Sequence, residues 1–406
     1  MTRSRRGGWG VALALVAGCA STVSAGADGA VTDVGVIDLG AIDGGSADVG
    51  ADVPMDVHGC PPVVDEDVPS ADVVASDGPY VVELSIEGDL HQCARMSDGT
   101  LRCRGWNAGG QLGLGTITAG EDVPVTVPGV TDVAQVITVV NGVTCTRHGD
   151  GSVRCWGNND QGLLGTGHDG DRPDCRCRPS PTLVPGLTGV IHLSSDWSQV
   201  YAVRQDGSVW RWGENVTDRP TATPVPIPTL SDVAMLWPVS NGLVARLRSG
   251  RYVTQNVTDF VLHTGDDLTI PSDATINGAN PSRVYHLCYR LPDGSVRCVG
   301  DNSRGELGDG TTTSRALSDP SDPGLCAVRS ISVAFNHSCA LMSDRTMQCW
   351  GDDVTRPTPV PGLDGVDRVF LGGSGACALR SDRSVWCWGS WSGGLPVSTQ
   401  PMPVTW

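Results

Sequence analysis

The 406-residue chain contains no lysine; all 28 of its basic residues are arginine. That absence removes the P-loop lysine, the kinase phosphate-binding lysine and a Schiff-base nucleophile in one step. Basic charge is short overall, with a formal net charge of −17. Such a surface lacks the electrostatic footprint of nonspecific nucleic-acid binding. Aromatics make up 5% of residues, and Trp outnumbers Phe and Tyr together, 12 against 3 and 5. No helical period persists beyond a turn or two past the N-terminus. No apolar run is long enough to span a bilayer as a permanent helix.

Cysteine, by contrast, is plentiful and regular. Five pairs share one spacing of ten positions: Cys93 with Cys103, Cys145 with Cys155, Cys288 with Cys298, Cys339 with Cys349, and Cys377 with Cys387. The middle residue of each pair is an aspartate. The segment Cys288-Tyr-Arg-Leu-Pro292-Asp293-Gly294-Ser-Val-Arg-Cys298 explains the spacing. Strand-like residues flank a three-residue loop, a type I turn closed by a residue at positive φ, which glycine adopts without steric cost. Pro292 suits the type I turn. Counting outward from Asp293 sets Cys288 directly opposite Cys298, with Cα atoms about 4.5 to 5.5 Å apart, within disulfide reach. Two further hairpins, around Gln205-Asp206-Gly207 and Ser249-Gly250, carry Tyr201 with Arg211 and Val244 with Thr254 at the matching positions. Both cysteines are lost together, as expected of a bonded pair.

Seven hairpins therefore recur at intervals of 52, 56, 43, 44, 51 and 38 residues, each leaving room for two more strands. Three are followed by glycine-rich loops, at 105–115, 157–167 and 300–310. Pro-Val stretches such as Pro357-Thr-Pro-Val-Pro-Gly come next, and then apolar runs such as Val133-Ala-Gln-Val-Ile-Thr-Val-Val140. Four short strands repeated every 40 to 55 residues or so describe propeller blades. The recurring H-x-C-A-L-x-x-D-G-x-V-x-C-W-G, followed by G-x-N-x-x-G-Q-L-G-x-G, resembles the regulator of chromosome condensation repeat in its bacterial secreted form. The resemblance runs over about residues 80 to 406 and implies an all-β, seven-bladed β-propeller.

The N-terminal region is of another kind. Arg3, Arg5 and Arg6 precede the short apolar stretch Val11-Ala-Leu-Ala-Leu-Val16 and then Val16-Ala17-Gly18-Cys19. This resembles a bacterial lipobox, which implies a signal peptide over 1–18, lipid attachment at Cys19 and a place at the cell envelope, on the outer membrane or cell surface. Cleavage after Val23-Ser24-Ala25 is the competing reading. Residues 20 to 79 hold 12 acidic residues and no Lys or Arg, with Asp28, Asp33, Asp38, Asp43 and Asp48 five apart. One-signed charge with few aromatics predicts a disordered tether over 19–79, reaching roughly 40 to 50 Å on average. Export suits disulfides. Cys60, Cys175, Cys177 and Cys326 remain; Cys175 and Cys177 are too close in sequence to bond easily, and pairing among the four is open.

Candidate chemistry is thin. His91, His286 and His337 share one repeat position, read as strand-start histidines bonded to backbone. Trp156, Trp212, Trp350 and Trp388 share another, read as packing between blades. No catalytic set stands out, and no cofactor, metal or nucleic acid is expected. The leading expectation is a monomeric, non-catalytic scaffold recognising a protein partner, with the membrane engaged through the lipid anchor alone. The alternatives are an inhibitor of a secreted enzyme such as a β-lactamase, implied by the resemblance, or a polysaccharide-active enzyme using the channel.

Overall fold

The computed structural model describes residues 78–86, 90–167, 175–213, 221–239, 242–256, 286–316, 319–390 and 398–406. The expected signal peptide, Cys19, Cys60 and the acidic tether up to residue 77 lie outside them. The chain divides into two units, Met1–Ala51 and Asp52–Trp406; all the described residues belong to the second.

Among the described residues all regular structure is β, arranged as a propeller of antiparallel sheets in chain order. The first sheet holds β1 (Val81–Ser85), β2 (His91–Met96), β3 (Leu101–Trp106) and β4 (Gly120–Thr126). The second holds β5 (Val133–Val139), β6 (Val143–His148), β7 (Val153–Asn158) and β8 (Cys177–Leu183). The third holds β9 (Val190–Ser195), β10 (Gln199–Arg204), β11 (Val209–Gly213) and β12 (Thr221–Pro226). Then come β13 (Val233–Val239), β14 (Gly242–Leu247) and β15 (Tyr252–Asn256), and the pair β16 (His286–Arg290) and β17 (Val296–Gly300). The last two sheets hold β18 (Val328–Ala334), β19 (His337–Met342), β20 (Met347–Gly351) and β21 (Val354–Pro359), and β22 (Val366–Leu371), β23 (Gly375–Arg380), β24 (Val385–Gly389) and β25 (Ser398–Val404).

The expectation of seven complete blades needs correcting. Five of these sheets have four strands, β13–β15 has three and β16–β17 has two. Cys298 and Gly300 extend the two-stranded sheet only by isolated bridges to Ser321 and Arg315. The shortfall falls on either side of residues 257–285, which lie outside the described set and lack the cysteine-hairpin pattern.

First strands form the inner ring: β1 touches β5, β5 touches β9, β9 touches β13, and β18 touches β22. Fourth strands form the rim. Each of β4, β8, β12, β21 and β25 carries proline, which withholds a ladder donor and blunts an open sheet edge. Apolar clusters join neighbouring sheets. Leu101, Cys103 and Trp156 belong to one cluster, Cys145, Val200 and Trp212 to the next. The cluster of Val81, Leu84 and Met96 also contains Cys377, Val385 and Cys387, with Val404 and Trp406 packed against it. The last sheet thus packs on the first.

The hairpins follow the sequence reading. Their third loop residue has positive φ throughout, including Gly294 at 79° and the non-glycines Arg345 at 64° and Arg383 at 69°. The preceding aspartate caps the turn: Asp98 Oδ1 accepts from the Thr100 amide at 3.0 Å and its hydroxyl at 2.7 Å. Those hydroxyl bonds hold Asp98, and likewise Asp150 and Asp206 through Ser152 and Ser208, below the usual carboxylate range. All five ten-spaced cysteine pairs are in register. Their Cα atoms lie 4.1 to 4.2 Å apart, with the sulfurs at bonding distance, closer than the spacing expected from the sequence. Where cysteine is missing, other contacts fill the site. The Tyr201 hydroxyl lies 2.9 Å from Asp196 Oδ2, and Val244 packs in a core with Trp237 and Tyr252. Against expectation, the sulfurs of Cys175 and Cys177 also meet, with Cα atoms 5.3 Å apart.

Because β25 completes the contact of the last sheet with the first, removing residues 398–406 is expected to destabilise the propeller by about 3 kcal/mol or more, the scale of large core deletions. A denaturant melt within experimental error of the full chain would show that the strand is not part of closure.

Candidate partner-binding face

Alternating strand direction sorts the connections onto two faces. Hairpin turns and inter-sheet links share one face; first-to-second strand turns and third-to-fourth strand loops share the other. The second face carries the glycine-rich loops, and its construction is visible residue by residue. Asn107, Asn159 and Asn302 are fully buried. Their Oδ1 atoms accept from the amides of Leu112, Leu164 and Leu307 at 3.0, 3.2 and 2.9 Å. Gln111 Oε1 takes the Gly109 amide, and Glu306 Oε2 takes the Arg304 amide, each at 2.8 Å. Burial raises the Glu306 carboxyl. These loop amides bond within the loop, as expected of turn chemistry rather than a phosphate cradle.

Each loop is then fastened to the next sheet by tryptophan. Trp156 Nε1 donates to Gln111 O at 2.9 Å, Trp212 Nε1 to Leu163 O at 2.8 Å, and Trp350 Nε1 to Glu306 O at 2.7 Å. A Cβ at Gly113 or Gly308 would stand 2.7 or 2.8 Å from the Trp156 or Trp350 indole nitrogen. Glycine is required there by contact as well as by its positive φ. The tryptophans therefore pack between sheets, as their spacing suggested; Trp388 is only half-buried.

The histidines do something the sequence reading missed. His91 Nε2 bonds the Thr144 hydroxyl, and His286 Nε2 the Ser338 hydroxyl, each at 2.8 Å. These hydroxyls belong to the next sheet, not to backbone. Each hydroxyl also donates to a loop carbonyl, Thr144 to Gln111 O at 2.8 Å and Ser338 to Glu306 O at 3.1 Å. The hydroxyl proton is thus committed away from the imidazole, which must be the donor through Nε2–H. Ser338 and His286 have the residue types of a nucleophile and its base, but here the hydroxyl donates to a carbonyl and both side chains are buried. Burial drives both histidines down to a pKa of about 3. His337 has Ala376 at the corresponding place in the next sheet, and its Nδ1 instead lies 3.5 Å from Asp352. The signal was present in sequence: histidine with hydroxyl at His91/Thr144 and His286/Ser338, neither at Val143/Val200.

On the surface of this face Trp106 is 50% exposed and Trp197 is 36% exposed. Trp197 stacks on Phe335 with centroids 6.0 Å apart. The two follow β9 and β18, inner strands of sheets that are not neighbours, so the stack bridges across the ring. Asn141 supports it, donating to Trp197 O at 2.8 Å. Arg304 pairs with Asp352 and Asp353 at 3.4 and 3.1 Å.

Models of the regulator of chromosome condensation (RCC1) repeat match residues 150–203 and 328–354. Two segments of the chain thus match this repeat, and its fold is a β-propeller. Among curated proteins it is similar to the E3 ubiquitin-protein ligase HERC2 of Mus musculus and of Homo sapiens. Each is 26% identical over 265 residues, which is 59% of this chain and 5% of the ligase. The chain therefore spans a small part of those relatives. The solved structure of Prp20p from Saccharomyces cerevisiae, described with its binding to Gsp1p and histones, matches with a TM-score of 0.61. The identity is 18%, over 79% of this chain and 83% of that one; the likeness is one of fold.

The two buried histidines set a pH dependence. Their folded pKa of about 3 lies below the ordinary value near 6.5, so the unfolded chain takes up protons first. Their contribution is complete above about pH 6.5 and is lost as pH falls toward 3. The melting temperature is expected to drop between pH 6.5 and 4.5, and less steeply in His91→Gln/His286→Gln. Parallel profiles for the two proteins would contradict this assignment.

Proposed function

We propose that this chain is an exported, non-catalytic binding scaffold whose loop face recognises a protein partner. The observation that carries the reading is a rigid face on which exposed Trp106 and Trp197 stand above loops locked by buried Asn, His and Trp. Exposed tryptophans on a preorganised frame are typical anchors of protein interfaces. Binding to Gsp1p and histones, named for Prp20p, is a precedent for protein partners on this fold. The Trp197–Phe335 stack across the ring weighs against substrate entry through a channel.

The remaining parts of the proposal concern setting. The signal peptide over 1–18, lipid attachment at Cys19, the tether over 19–79 and the propeller over 80–406 form one reading: a propeller held off the envelope membrane. It is supported by the lipobox-like sequence, by one-signed acidic charge and by hairpins recurring at seven places. Disulfides at Cys93–Cys103, Cys145–Cys155, Cys288–Cys298, Cys339–Cys349 and Cys377–Cys387 fit an oxidising compartment.

A crosslinked pull-down from envelope extracts with the full tethered chain tests the partner reading. Trp106→Ala/Trp197→Ala is expected to cut capture of the specific partner by about tenfold or more, as hot-spot loss does. Equal capture by the variant would place recognition elsewhere. Cys19→Ala is expected to release the chain from the membrane fraction; an unchanged fraction with cleavage after Ala25 would refute the anchor. Non-reducing peptide mapping is expected to find the five pairs bonded, each contributing about 2 to 4 kcal/mol, and free thiols at Cys145 and Cys155 would refute them.

A further inference from the structure

At the contact of the last sheet with the first, the position that holds tryptophan in three other sheets is an arginine. Where the second, third and sixth sheets place Trp156, Trp212 and Trp350, the first places Arg104. Its register partner is Gln92. Both are buried, Arg104 3% exposed and Gln92 not at all. Arg104 Nε donates to Gln92 Oε1 at 3.1 Å, which fixes the amide orientation because arginine only donates. Trp406 lies over the guanidinium, 4.4 Å from ring centroid to Cζ, and Arg102 Nη1 holds Trp406 O at 2.9 Å.

Three donors are left over. Arg104 Nη2, Gln92 Nε2 and Trp406 Nε1 are buried and without a partner among the described residues. Buried donors normally find acceptors, and leaving them bare costs stability. At the equivalent tryptophans the indole donor meets a loop carbonyl; here the donors stand unmatched, all of one kind. Arg104 and Trp406 line an open cleft of about 510 Å³, with Val123, Pro124 and Pro403 as apolar wall and Asp122 at its rim. Burial lowers the Arg104 pKa to about 10, so the guanidinium remains charged at neutral pH.

We infer that this seam cleft is a binding site for an organic carboxylate, held by Arg104 with Trp406 as second donor, its apolar body lying on Val123, Pro124 and Pro403. A carboxylate only accepts, and it matches the planar guanidinium edge. Stacking on Trp406 fixes the plane of that edge. The Asp122 carboxylate disfavours ligands of higher charge, so a singly charged carboxylate is preferred to phosphate.

The test uses the full chain and sodium benzoate, with sodium chloride and inorganic phosphate at matched ionic strength. The indole N–H signal of Trp406, assigned by its loss in Trp406→Phe, is followed by nitrogen–proton correlation NMR. Benzoate is expected to shift it saturably, with a dissociation constant of about 1 mM, a weak-fragment affinity. Arg104→Lys keeps charge but loses the planar fork, and is expected to weaken binding about tenfold. Asp122→Asn, at an exposed rim, is expected to tighten it a few-fold, a gain that misfolding cannot imitate. No saturable shift, an equal shift with chloride or phosphate, or unchanged binding in Arg104→Lys with no gain in Asp122→Asn would overturn the inference.

Discussion

In three repeats a single loop carbonyl ties one sheet to the next, at Gln111, Leu163 and Glu306. Gln111 O and Glu306 O each receive two buried donors from the following sheet, an indole and a hydroxyl. A carbonyl has two lone pairs, so both are used. The loop is fixed at that point, and the glycine two residues on admits the indole ring. Because the donors come from the next sheet, the same bonds set the position of one sheet on another. The cysteine pairs across five of the hairpins act at a different level. They tie strands within a sheet, and they say nothing about how sheets meet.

That division explains what could be read in the sequence. Hairpins were legible because their chemistry is local: Asp98 or Asp293 at the turn, a residue tolerant of positive φ after it, and cysteines counted outward in register. The outer strands were legible as Pro-Val stretches, since proline in a sheet belongs at an edge. The partner of His91 was not, because Thr144 lies 53 residues away and no single repeat contains both halves of the pair. Comparing neighbouring repeats would have found it. The incomplete sheets were equally hard to anticipate. Val244 and Thr254 sit in register without cysteine, but the residues that follow them have no repeat pattern from which further strands could be counted.

The site residues divide along the same line. Trp156, Trp212 and Trp350 were read as packing, and their burial and indole bonds bear this out. His91, His286 and His337 were treated as one set, yet the first two are neutral struts and the third faces Asp352. Chemistry follows from the neighbour rather than from the repeat position. A hydroxyl opposite produces a buried bond, and an alanine opposite frees the ring to turn toward a carboxylate.

A ring of repeats must join two chain segments that are not consecutive, and there the repeat pattern cannot hold on both sides. At this contact Arg104 replaces the tryptophan and Trp406 arrives from the last strand to cover it. An arginine can stack on an indole and still keep donors at its edge. A tryptophan in its place would spend its one donor on closure, as Trp156 and Trp350 do. The first-to-last contact therefore combines apolar packing of Val81, Leu84 and Met96 against Val385 with a charged group that packing alone does not require. At the seam the donors Arg104 Nη2, Gln92 Nε2 and Trp406 Nε1 are buried with no acceptor among the described residues.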